Sequence, residues 1–122
     1  MMLNPMTAGR PEPQWTHYDP GSDDVEDCEY RVDEMEILGV KQKYIMIRGT
    51  IVNHRSINID MPVGVTVSSP LDYPGTVIVC DESEGRLRFW STNITVYDSG
   101  KTIDFNSLFS TGARCLVFAR VS

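Results

Sequence analysis

The sequence predicts an all-β fold, a small β-sandwich, jelly roll or barrel of about eight or nine short antiparallel strands behind an extended N-terminal arm. Three observations predict it. From about Tyr30 onward, apolar and polar residues alternate with a period of two. Turn residues break this alternation roughly every 8 to 12 residues. No window carries the i, i+3, i+4, i+7 apolar stripe that would hold a helix of about ten residues.

The arm is residues 1–29 and the β-rich body residues 30–122. Pro5, Pro11, Pro13 and Pro20 interrupt the arm, and no regular apolar period develops before about Cys28. Such a segment cannot bury enough apolar surface to fold alone. In the body, Ile45, Ile47, Gly49 and Ile51 share one strand face, with Tyr44, Met46, Arg48 and Thr50 on the other. Ile57, Ile59 and Met61 alternate with Asn58 and Asp60 until Pro62, which marks a boundary or an edge. Val63, Val65 and Val67 then predict another strand, followed by a loop from Ser69 to Gly75.

Thr76 to Cys80 is apolar on both faces, which predicts a central strand covered above and below. The turn Asp81-Glu82-Ser83-Glu84-Gly85 leads into Arg86 to Trp90, predicting a hairpin with Leu87 and Phe89 on one face and Arg86, Arg88 and Trp90 on the other. Ile94 to Tyr97 and Thr102 to Phe105 flank Asp98-Ser99-Gly100, a second hairpin. At most one helical turn fits at Asn106 to Ser110, and Ala113 to Val121 forms the last strand.

Charge divides the chain in a way that excludes some partners. Residues 1–36 hold ten acids against two bases, a net of −8, and the remainder holds nine bases against seven acids, a net of +2. Phosphate contacts need cations facing them, so a nucleic-acid partner is not expected. No apolar run reaches the roughly 18 residues of a membrane span, so no membrane partner is expected either. The three cysteines, Cys28, Cys80 and Cys115, are odd in number and form no CxxC pair, which points to a reducing compartment. Cys28 sits among carboxylates that raise its pKa, and Cys80 and Cys115 read as small buried groups.

Neither an enzyme nor a cofactor protein is expected. The histidines, His17 in the arm and His54 in a turn-like stretch, have no readable nucleophile or acid beside them. The acids between Asp19 and Glu36 lack the spacing of a calcium loop, so no metal site is assigned. Asn93-Ile94-Thr95 is a glycosylation sequon by pattern alone, inside an expected strand. Binding candidates remain. Trp15, His17 and Tyr18 cluster in the arm, where rigid aromatic side chains suit a partner's groove. Arg86, Arg88 and Trp90 on one strand face suit a partner, a neighbouring subunit or the chain's own arm.

Three segments carry a resemblance to a known family. Thr16-His17-Tyr18-Asp19-Pro20, Asp81 to Trp90 (DESEGRLRFW) and Tyr97-Asp98-Ser99-Gly100 resemble, in order, stretches of the head decoration (cement) proteins of tailed bacteriophages, the lambda-type family; they cover about 19 of the 122 residues. Between the last two, this chain has only Ser91 to Val96 where the family has a further apolar strand. The resemblance implies a homotrimer made in the host cytoplasm and seated on the virion exterior. Its arm would reach the major capsid protein and brace the shell.

The first functional expectation is therefore a capsid decoration protein. A tail-fibre or receptor-binding knob recognising a surface glycan through Arg88 and Trp90 is the second, although the chain lacks shaft repeats. A small β-sandwich sugar-binding domain or enzyme is the third.

Overall fold

The computed structural model describes residues 14–52, 56–68, 75–107, 109 and 112–122. The only regular elements among the described residues are β-strands and one 3-10 turn at Asp98–Gly100. In chain order the strands are β1 (Thr16–His17), β2 (Val25–Ile37), β3 (Val40–Ile51), β4 (Ser56–Asp60), β5 (Gly75–Ser83), β6 (Arg86–Asn93), β7 (Thr95–Tyr97), β8 (Thr102–Asn106) and β9 (Arg114–Val121). A six-stranded sheet runs β1-β2-β3-β9-β5-β6 and a three-stranded sheet runs β4-β8-β7, with every pairing antiparallel. The expected all-β sandwich-like class is what the chain adopts.

Alternation puts the core between the sheets. Ile45, Ile47 and Ile51 of β3 and Val117 and Ala119 of β9 point inward, where they join Ile57, Ile59, Ile103 and Phe105 of the smaller sheet in one buried cluster. Each fully buried aliphatic side chain contributes roughly 1.5–3 kcal/mol relative to exposure. Gly75 begins β5 so close to β9 that a Cβ there would lie 2.5 Å from the Phe118 carbonyl oxygen, so only glycine allows the two strands to meet at that point.

Two hairpins bound the large sheet, and each turns on two residues with positive φ. Leu38 (52°) and Gly39 (82°) join β2 to β3, and Glu84 (54°) and Gly85 (74°) join β5 to β6. Positive φ at both central positions is the type I′ geometry whose twist matches that of the flanking strands. Beyond Lys43 strand β3 has no β9 partner, so the β2–β3 hairpin overhangs the sheet as a two-stranded ribbon.

Four expectations need correction. Val63 to Val67 is not a strand: Pro62 accepts the Val65 N–H at 3.0 Å in a turn with Gly64 at φ 83°, and only Val67 makes a bridge, to Val121. The local alternation yields to proline and glycine. Among the described residues strand β5 is covered on one face only, with Ile78 exposed and Cys80 half-buried. The Asp81–Gly85 turn shrinks to Glu84-Gly85, because Asp81 to Ser83 stay paired with Arg86 to Arg88.

Finally, the boundary drawn at 29/30 falls inside β2, and residues 14–29 belong to the sandwich. His54 and residues 1–13 and 69–74 lie outside the described residues. So do Leu108 and Ser110 of the expected turn after Asn106, where Ser107 Oγ accepts the Phe109 N–H at 3.2 Å.

Candidate functional site

The first described residues are held by their own chain. Trp15 lies on the outer face of the large sheet, its ring centroid 4.0 Å from the Arg48 guanidinium carbon and 5.1 Å from that of Arg31. A guanidinium over an indole contributes roughly 0.5–1 kcal/mol at an exposed site. Arg31 is in turn 3.1 Å from Asp33, and Arg48 donates to Glu29 at 2.9 Å. His17 Nε2 sits 3.3 Å from the other Glu29 oxygen.

Tyr18 turns inward. Its ring meets Tyr30 edge to face at 5.3 Å, and its hydroxyl donates to the Asp60 carbonyl at 3.0 Å. Burial, followed by the nearby Cys28 and Asp60, pushes the Tyr18 phenol well above its ordinary pKa. The three predicted arm anchors thus contact β2, β3 and β4 of the same chain.

The acidic stretch after Tyr18 stitches one sheet to the other. The Pro20 carbonyl accepts the Asp60 N–H at 2.9 Å, and Asp24 accepts the Asn58 N–H through Oδ2 and the Val52 N–H through its carbonyl. Asp19 Oδ1 accepts the Gly21 N–H at 2.8 Å in an Asx turn. A register break between Glu26 and Glu29, with Asp27 at φ 54°, then turns Cys28 into the core over Gly49. A Cβ on Gly49 would lie 3.0 Å from the Cys28 sulfur.

Burial pushes the Cys28 thiol up to about 11, with Asp27 and Asp19 adding to the rise, and burial pushes Cys115 up to about 12. Both are poor nucleophiles at neutral pH because the thiolate is the reactive form. Cys115 and Cys28 pack in the core, whereas Cys80 is a half-buried residue of the outer face.

The body candidates share one face of β6. Trp90 is opposite Val79 and shares its inward face, so its indole packs against the core. Arg88 is opposite Asp81, pairs with its carboxylate and stands 4.9 Å from the Phe109 ring. Arg86 is exposed at the start of the strand. On that face only the Trp90 end turns toward the core, Arg86 and Arg88 remaining exposed, and the opposite face carries Leu87 and Phe89.

On that opposite side the residues form a surface. Phe89 faces outward beside Cys80, Ile78 is opposite Leu116, and Thr76 is opposite Phe118. Phe118 stacks on Tyr44 at 4.8 Å with an interplanar angle of 16°. Leu87 is 64% exposed, Phe89 66%, Ile78 43% and Leu116 36%. These residues give one face of β6, β5 and β9 an apolar character that continues through the Phe118–Tyr44 stack toward Trp15. Sequence alternation identified the face but not which side of it meets solvent, because Trp90 is the larger apolar side chain and both sides of the strand mix apolar with basic or polar residues.

The chain matches no family model, no curated protein and no solved structure. Its own geometry must carry the functional reading.

Proposed function

We propose that this chain is a structural protein of a virion, a decoration protein that sits on the outer surface of a capsid and stabilises it. The supporting observation is the outward apolar face of the large sheet, where Leu87, Phe89, Ile78 and Leu116 lie together without a covering layer among the described residues. The opposite face of the same sheet is buried against β4, β8 and β7. A contiguous apolar patch of this kind on an otherwise polar protein marks an interaction surface. Its centre would supply the desolvated contacts, and the rim of Arg114, Arg120 and Thr50 the polar ones.

The resemblance of residues 16–20, 81–90 and 97–100 to the cement proteins supplies the shell as partner. Since Trp15, His17 and Tyr18 are engaged by the sandwich, the proposal assigns docking to the sheet face. Repetition over symmetric capsid sites converts modest affinity per copy into stable coverage. The receptor-knob alternative loses its stacking platform, because Trp90 packs inward and Arg88 is paired with Asp81.

Co-sedimentation with purified capsids of the source particle tests the reading. The wild-type chain should sediment with the shells, and Ile78→Lys and Leu116→Lys, each folded by circular dichroism, should lose at least about tenfold in affinity. Undiminished binding by both variants, or absence of the chain from purified particles by mass spectrometry, would overturn the proposal.

A further inference from the structure

The two edges of the large sheet are built differently. At one edge, β1 covers Glu29 and Tyr30 of β2, a register break sits between Glu26 and Glu29, and the remaining length carries Asp33, Glu34 and Glu36. Charges, bulges and short covering strands are the devices that keep an edge from pairing with another chain. At the other edge, β6 pairs with β5 in unbroken register from Arg86 to Asn93, and the stretch Phe89-Trp90-Ser91-Thr92-Asn93 has no charge, proline or bulge. Among the described residues no strand pairs with its far side.

We propose that two copies of this chain join edge to edge through β6, their strands antiparallel about a two-fold axis that runs normal to the sheet midway between the two Phe89 residues. The backbone is arranged for it. In a two-residue hairpin the pair closing the turn, here Ser83 and Arg86, is hydrogen-bonded, so the alternate residues Leu87, Phe89 and Ser91 turn their N–H and C=O groups away from β5. In the proposed register Phe89 lies opposite Phe89 of the second copy, and Leu87 opposite Ser91. The outward-pointing main-chain groups of both strands are thereby paired.

Charge selects this register among its neighbours. Centring the axis on Leu87 sets Arg86 against Arg88 of the other copy, and centring it on Arg88 sets that residue against itself; like charges directly opposite destabilise a sheet. Centring on Phe89 instead sets no arginine against another cation, with each Arg88 across from the other copy's Trp90 and each Arg86 across from Thr92, and it places the two exposed Phe89 rings directly opposite each other. Centring on Trp90 sets Leu87 against Asn93 and Phe89 against Ser91, so that neither exposed apolar side chain meets an apolar partner.

The contact is isologous and closed, so it limits itself at two copies. It joins two outward apolar faces into one, and it differs from the three-fold arrangement that the family resemblance implies. It rests on the edge alone and not on the capsid reading, so purified protein tests it independently.

Sedimentation equilibrium of the full chain across a concentration series should show a species of twice 13.8 kDa that dissociates on dilution. Phe89→Lys should raise the dissociation constant at least about tenfold without changing the far-ultraviolet spectrum. In a Cys80→Ser background, Phe89→Cys should give a disulfide-linked dimer under mild oxidation, because hydrogen-bonded partners stand about 5.5 Å apart at Cα. Asn93→Cys in the same background should not. A monomer at every concentration, a dimer indifferent to Phe89→Lys, or cross-linking that is equal at positions 89 and 93 would overturn the proposal. Loss of association on deleting residues 2–13 would also overturn it, since that segment would then be the occupant of the edge.

Discussion

The two ends of the six-stranded sheet present opposite solutions to one problem. Near β1 and β2, aromatic side chains are engaged: Trp15 rests on Arg31 and Arg48, and Tyr18 reaches across to the Asp60 carbonyl. Near β6, Leu87 and Phe89 stand about two-thirds exposed on an edge strand. The same residue classes stabilise the fold at the first end and are available for association at the second. Exposure alone does not make the difference, for Trp15 too lies on the outer face. What differs is that its cationic partners come from the same chain.

The largest contrast should come from truncating one aromatic at each end. Tyr18→Ala removes the edge-to-face contact with Tyr30 and leaves the Asp60 carbonyl without its donor, and should destabilise the fold by about 3 kcal/mol in denaturant titrations. Phe89→Ala should change the stability of the isolated monomer by less than about 1 kcal/mol. Equal losses would show that β6 is as integral to the fold as the segment around Tyr18.

Alkaline pH should act next, through the buried thiols of β2 and the central strand β9 and not through the β6 edge. Cys28 and Cys115 have folded-state pKa values raised from 9.0 to about 11 and about 12, so above pH 9 the unfolded chain loses protons that the folded chain keeps. Stability associated with these thiols is therefore complete below about pH 9 and declines as pH rises through 11 and 12, by about 1.4 kcal/mol per pH unit for each differentially ionised group. Cys115→Ala should flatten the decline measured by denaturant midpoints. An unchanged slope would mean that the buried thiols do not govern it.

Trp15→Ala should cost about 1–2 kcal/mol by removing both guanidinium contacts. Its effect on capsid affinity should be small beside that of Ile78→Lys; the reverse order would return the docking role to the N-terminal segment. Smallest is Leu38→Asn. Leu38 is 98% exposed at the tip of the overhanging hairpin with φ 52°, a conformation that asparagine tolerates better. The substitution should stabilise the protein by about 0.5–1 kcal/mol, read as a rise in midpoint at constant denaturant slope.

The strands with clean alternation were legible in the sequence. Ile45 to Ile51, Ile57 to Asp60, both hairpins after Thr76 and the closing strand can be read from periodicity and turn residues, because packing and sequence obey the same period of two. Strand β2 was not legible. Its acids resemble a solvated tail, and the register break at Glu26/Glu29 shifts the inward set so that Val25 and Cys28, three residues apart, are buried on one side. Val63 to Val67 misled in the opposite direction, since an alternating run with Pro62 and Gly64 makes a turn. The candidate surface was half legible: the faces of β6 follow from parity, but their orientation depends on where the smaller sheet packs. That is a long-range fact absent from any local window.

The bonding of residues 15–24 has a mechanical consequence. Tension applied at the amino end passes through Trp15 and the β1–β2 pairing into one layer, and through Tyr18, Pro20 and Asp24 into the other. A tether pulling there would load both layers of the molecule together instead of peeling off a single strand.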